Sequence, residues 1–273
     1  MTSTTATATA TAVAGRLGGG LNIRLRQVLA VVVAIALWAA VCASGWISRD
    51  ALPTPAQVAD SLREAFATRG FWTDVGETLR GAVAGLLLAA VAGIPLGLVT
   101  GTFAAAERSS RLLVDILRSF PVIALLPVFL LVMGAKPEMK ITVVFIACVF
   151  PIFLQAQYGA RDVPPTIQET AHSFRIPRLL RFRKVVLPSA TPSIMTGVRF
   201  AATTSVLVAL GTELLSTLPG MGHTIAASQQ NGNSPRAFAY IVAAGFVGWT
   251  INSVSERLER RLLRWRPPAR GGA

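Results

Sequence analysis

The chain has 273 residues, 52% of them hydrophobic and only 14% charged, where a soluble domain averages about 25% charged; an ordinary soluble globular protein is excluded and an all-α membrane protein is indicated. A net charge of +13 would suit nucleic acid, but the basic residues flank apolar segments instead of gathering on one compact face, so no nucleic-acid partner is expected. Cys42 and Cys148 both fall inside apolar segments, so a disulfide framework is not indicated.

Residues 1–22, mostly Thr, Ala and Gly, bury too little apolar surface to fold and read as a disordered tail. Val28 to Ile47 carries no charge for twenty residues and forms the first expected span, long enough for a hydrocarbon core of about 30 Å. A cleaved signal peptide would have a shorter apolar core of about 7–15 residues. Ser48 to Thr78 is a polar connection with an amphipathic helix around Val58, Leu62 and Phe66, expected to lie outside on the membrane. Between Arg80 and Glu107 no charge occurs, giving span two. Within it Gly93, Gly97 and Gly101 recur at every fourth position. Two readings stand: a stripe that lets another helix approach closely, or the general abundance of Gly in membrane helices.

Glu107 to Arg118 reads as a short polar connection, and Ser119 to Ala135 as a third span, seventeen residues without charge, kinked by Pro121 and Pro127. Lys136 to Lys140 is expected to be a tight external turn, and Ile141 to Ala160 span four. Span five runs from about Pro192 to Glu213, with Arg199 near one end and Thr203, Thr204 and Ser205 in its middle. A Gly-, Ser- and Asn-rich loop follows to Arg236, then span six from Ala237 to Ser255. The helix continues to Arg266 with Glu256 and Arg260 spaced to pair, and 267–273 is a second tail.

With both termini inside, the inner loops hold Arg16, Arg24 and Arg26, then Arg108, Arg111 and Arg118, seven cations from Arg161 to Arg199 and six from Arg257 to Arg270, nineteen of the twenty-six Lys and Arg. The excess of cations in cytoplasmic loops sets this orientation.

The polar island 161–190 interrupts the apolar segments. From Glu169 it places Phe174, Leu179, Leu180, Phe182 and Val185 among Arg178, Arg181, Arg183 and Lys184, as one or two short amphipathic helices broken at Pro177. Such a surface either rests on anionic headgroups or docks on a protein. No catalytic constellation accompanies it. His172 and His223 stand apart from any zinc motif, and the three lysines follow Ala135, Met139 and Arg183, so no Gly-Lys of a phosphate-binding loop exists.

The order of residues in the island resembles the EAA loop of the membrane subunits of bacterial ATP-binding-cassette importers. That loop reads Glu-Ala-Ala, a Gly four residues later, then Ile-x-Leu-Pro. Here Glu169, Thr170 and Ala171 stand at the triplet and Val185 to Pro188 at the ending, while Arg175 replaces the glycine and Pro177 is expected to impose the break. The stretches Arg118 to Pro121, Leu126-Pro127, Phe150 to Phe153, and Leu210 to Leu214 followed by Gly220-Met221-Gly222 are similar to the permeases for sulfonates, taurine and nitrate.

This resemblance implies the type I importer fold with six transmembrane helices over 23–266, in a bacterial inner membrane. It implies a second permease copy, ATPase subunits that carry the ATP and magnesium, an extracytoplasmic solute-binding protein, and no cofactor or enzymatic activity in this chain. Glu169, Thr170, Ala171, Arg175, Pro177, Leu187 and Pro188 would couple to the ATPase. Span five is expected to line the translocation path through Thr203, Thr204 and Ser205, with Glu213 near an outer gate and Arg199 near the inner mouth. Arg199 either snorkels to the interface or attracts an anionic solute. A passive channel is the alternative, although no filter sequence is found.

Overall fold

The computed structural model describes residues 19–46, 48 and 51–264, and in these it is helical nearly throughout. The helix α1 (Gly19–Ser44) begins inside the expected tail, whose remaining residues 1–18 lie outside the described part, as do 265–273 at the other end. Leu25, Val28, Val32 and Ile35 are all exposed along α1. It meets the other helices chiefly through α2 (Pro55–Ala67) and a Trp38–Phe238 ring contact of 6.2 Å. An apolar helix with so little protein around it suits a lipid environment.

The start of α2 is fixed by a reciprocal cap. The Gln57 N–H donates to Thr54 Oγ1 at 3.3 Å, the Thr54 N–H donates to Gln57 Oε1 at 2.9 Å, and Pro55 fills the first helical position. Val58 is buried and Leu62 packs against a cluster of Phe71, Met221, Ile225 and Tyr240, as the amphipathic pattern requires.

Three long helices make the centre: α3 (Arg69–Thr102), α6 (Pro137–Arg161) and α9 (Leu187–Leu214). The glycine stripe of α3 lies along α6. A Cβ on Gly97 would sit 2.3 Å from the Phe153 carbonyl oxygen, and one on Gly101 would sit 2.5 Å from that of Gln157. Close helix approach is therefore what these glycines do. One buried cluster joins Ala82 and Ala89 of α3 to Val144, Cys148 and Ile152 of α6 and Ala201 and Ala209 of α9.

The connection Glu107 to Arg118 is longer and more regular than expected, forming most of α4 (Ala104–Ser119). Pro121 then ends the helical run, a short tight turn of helix covers Val122–Leu125, and α5 (Leu126–Met133) restarts with Pro127 in its first turn. The apolar segment Val122–Met133 is thus shorter than the five helices that, among the described residues, are long and apolar enough to cross a membrane, namely α1, α3, α6, the helix ending at Leu214 and α11 (Ser234–Leu262).

Lys136 to Lys140 is not a turn. Pro137 occupies the first position of α6, so Lys140 already lies inside the helix. The Gly-, Ser- and Asn-rich stretch likewise contains a helix, α10 (Met221–Gln230), packed on α9 and α11.

Candidate functional site

Three groups of residues could carry function, and they occupy different levels of the bundle.

The first is the polar island. Residues Pro165–Ser173 form α7 and Arg178–Arg181 form α8, which runs through a widened turn, Phe182–Val186, straight into α9. Pro188 explains the widening: it lacks an N–H and its ring would collide with the carbonyl four residues back, so the turn before it loosens.

The break between α7 and α8 differs from the expectation. The residue in the left-handed region is Arg175, at φ 50°, and the Ile176 N–H reaches back to the Ala171 carbonyl at 3.0 Å, closing α7 as a glycine would. Pro177, in extended conformation, then caps α8. The turn therefore belongs to Arg175, and Pro177 only starts the next helix. Ala171 is buried while Glu169, Thr170, Phe174, Leu179 and Leu187 are exposed. Phe174 and Leu179 show 78% and 70% of their surface, beside the exposed Arg175 and Arg178.

The second group is a pair of adjoining cavities along one face of α6 that share Arg118, Leu154 and Tyr158. Its apolar part, about 570 Å³, is lined by Phe150, Pro151 and Leu154 of α6, Phe120 and Val122 before α5, and Thr196 and Phe200 of α9. Arg118, Leu154 and Tyr158 also line a second part of about 380 Å³, which is polar and holds Arg111 and Arg161. The Arg161 guanidinium pairs with Glu107, and Arg118 Nε pairs with Asp115 at 3.0 Å.

The span-five residues separate. Thr203 is exposed, continuing the stripe of Thr196 and Phe200, and Thr204 is half-buried. Ser205 is buried and donates to the Ala202 carbonyl at 2.8 Å. Arg199 faces α11, its guanidinium 3.3 Å from Glu259. Although α9 borders the apolar cavity through Thr196, Gly197 and Phe200, none of Arg199, Thr203, Thr204 and Ser205 lines either cavity. The cations there are Arg111, Arg118 and Arg161, which sequence reasoning had counted only for orientation. For Arg161 the signal was the recurrence of 147, 150, 154, 158 and 161 on one face of α6.

The third group surrounds Glu213. Its carboxylate is 0% exposed and 2.9 Å from the Lys140 ammonium, itself 3% exposed. Thr78 donates to Glu213 Oε2 at 2.8 Å and the Gly222 N–H does so at 3.1 Å. A second acid, Asp74, accepts from the Thr224 hydroxyl at 2.8 Å and the Tyr240 hydroxyl at 3.2 Å. An acid at the end of an apolar span demands a buried cation, and that demand was the available signal for Lys140.

Comparison with known proteins places this arrangement. The family described as binding-protein-dependent transport system inner membrane component matches residues 93–266. The putative aliphatic sulfonates transport permease protein SsuC of Bacillus subtilis (strain 168) is 28% identical over 89% of this chain and 88% of its own length. The nitrate import permease protein NrtB of Leptolyngbya laminosa is 26% identical over 90% of each chain. The taurine transport system permease protein TauC of Escherichia coli (strain K12) is 24% identical over 86% of this chain and 87% of its own. Among solved structures, an inward-facing MetNI methionine ABC transporter superposes with a TM-score of 0.61 at 19% identity, covering 69% of this chain and 94% of that one. An amino acid ABC transporter gives 0.59 at 14% identity, over 75% and 98%. With the glycine-packed centre, the island before α9 and the cavity beside α6 in place, the match over residues 93–266 settles the class: the chain belongs to the family of inner-membrane components of binding-protein-dependent transport systems, as a multi-pass ABC importer permease subunit of the type I fold and not an enzyme.

Proposed function

We propose that this permease carries a small anion, of the sulfonate, taurine or nitrate class, through a path on the cavity face of α6 and α9, and that α7 and α8 couple it to a separate ATPase. The single observation that carries the path is the change of character across the two adjoining cavities, from Phe150, Phe200 and Val122 to a polar end where Arg111, Arg118 and Arg161 outnumber Glu107 and Asp115. An apolar stretch passes a solute without trapping it, and a cationic end draws an anion toward it. Relatives named for aliphatic sulfonates, nitrate and taurine support the same class. The reading takes Thr203 with Thr196 and Phe200 as wall residues, Thr204 at the margin, and leaves Ser205, Arg199 and Glu213 in packing and positioning roles.

Coupling rests on the exposed Phe174 and Leu179 beside exposed arginines, with Glu169 exposed on α7. Apolar side chains rimmed by charge are what a protein cleft takes up. Thr170, Arg175, Pro177, Leu187 and Pro188 shape this docking element, and Ala171 is buried within it. A second permease copy closes the open side of the cavity, an extracytoplasmic binding protein delivers the solute at the α2 and α10 end, and the island lies in the cytoplasm.

Cysteine scanning tests the path. Cysteine at Thr196 and Thr203 reacts with a water-soluble thiol reagent, and trapping the ATPase with nucleotide changes the rate at least threefold. Cysteine at Ser205 stays unreactive, like the buried native Cys42 and Cys148. Unreactive positions 196 and 203 in every state remove α9 from the path.

A further inference from the structure

The importer reading gives the buried Lys140–Glu213 pair no part in the path itself. Removing two charges from water costs more than their attraction usually returns, and α3 and α6 are already joined by the glycine stripe. Nevertheless the pair is fully satisfied. Lys140 Nζ donates to Glu213 Oε1 at 2.9 Å, to the Glu77 carbonyl at 3.1 Å and to the Pro219 carbonyl at 3.2 Å. Glu213 Oε2 accepts from Thr78 and from the Gly222 N–H, and Thr78 Oγ1 in turn accepts the Met221 N–H at 3.0 Å. The irregular segment 215–220 and the first turn of α10 are therefore tied to α3, α6 and α9 through one carboxylate and one ammonium.

The backbone follows the carboxylate closely. A Cβ on Gly220, where φ is 147°, would lie 2.2 Å from Glu213 Cδ, and one on Gly222 would lie 2.3 Å from the Leu210 carbonyl oxygen. The Gly220-Met221-Gly222 motif is thus a backbone wrapped on Glu213. The pair is also polarised by its neighbours: position 140 faces two carbonyl oxygens and can only be a donor, while position 213 faces a hydroxyl and an N–H and can only be an acceptor.

We infer that Lys140 and Glu213 are positioning residues for transport, locking α10 and the segment before it onto the outward ends of α3, α6 and α9 so that these elements move as one body when the binding protein docks. The inference rests on the importer reading. It differs from a merely stabilising salt bridge in requiring both the anchored backbone and the response to the binding protein.

Amide hydrogen exchange and ATP hydrolysis on the reconstituted complex test it, with the unstimulated hydrolysis rate as the control for assembly. In Glu213→Gln, and in the exchanged pair Lys140→Glu with Glu213→Lys, exchange across 215–225 rises at least tenfold while 143–156 in α6 is unchanged. Stimulation of hydrolysis by loaded binding protein falls at least fivefold. Thr78→Val, which removes one hydroxyl without removing a charge, shows the same pattern with smaller amplitude and stands in should the charge variants fail to assemble. Unchanged exchange at 215–225 in Thr78→Val and Glu213→Gln overturns the anchor. Faster exchange with full stimulation, or rescue by the exchanged pair, reduces it to ordinary stabilisation and overturns the positioning role. A wild-type complex that shows no stimulation sinks the importer reading instead, and the exchange data then still decide whether the anchor exists.

Discussion

Arg175 holds a backbone conformation that costs an L-residue about 1–2 kcal/mol, because it occupies the left-handed position that closes α7. Arg175→Gly should therefore stabilise the α7–α8 hairpin by about 1 kcal/mol and leave uptake at or above the native rate; thermal unfolding of the purified subunit checks the first and a transport assay the second. Arg199 and Glu259 form a pair with the arginine side chain 41% exposed, so a double-mutant cycle between Arg199→Ala and Glu259→Ala should give a coupling of only about 0.2–1 kcal/mol. Both single changes should lower uptake equally and slightly. A far larger effect of Arg199→Ala alone would return the residue to the solute path. At this scale the sequence was legible where spacing forced an outcome: Arg199 and Glu213, fourteen positions apart on one helix, had to find separate partners. The partners themselves, Lys140 and Glu259, come from other helices, and nothing in local spacing selects them.

Among the elements, α3 depends on close approach to α6. Gly97→Val would drive a side chain into the Phe153 backbone, where overpacking typically costs about 1–3 kcal/mol, and in so long a contact the folded yield should drop severalfold. Gly76→Ala, where an added Cβ meets nothing within 4 Å, is the matched control and should be neutral. Equal yields of the two variants would show that the stripe is compositional. Periodicity identified the long spans because each keeps an apolar face over many turns. It failed at Lys136–Lys140 because three charges in five residues, Lys136, Glu138 and Lys140, interrupt the apolar pattern, while Pro137 already starts α6 and the Lys140 stem lies over Gly81. It also read α4 as a connection, because a helix with Arg108, Arg111 and Arg118 on it lacks the uninterrupted apolar run that marks a span.

For the whole molecule, the division of labour follows from what the chain contains. The sequence has no phosphate-binding loop, and the described residues bring together no metal-binding cluster of His, Cys, Asp and Glu. On the proposed reading, the cavity end lined by Arg111, Arg118 and Arg161 is a route and the exposed island at 165–181 a docking element for partner subunits. The central claim is that transport through this chain is driven from another subunit by way of α7. It is tested most directly by ATP hydrolysis of the complex in proteoliposomes, measured with and without loaded binding protein, for the native chain and for Glu169→Lys, whose exposed side chain lets the variant fold. The account predicts hydrolysis and solute uptake that rise together with binding protein in the native complex, and at least a tenfold loss of both in Glu169→Lys with normal membrane insertion. Uptake that persists at the native rate in Glu169→Lys, or without any ATPase subunit, would contradict it.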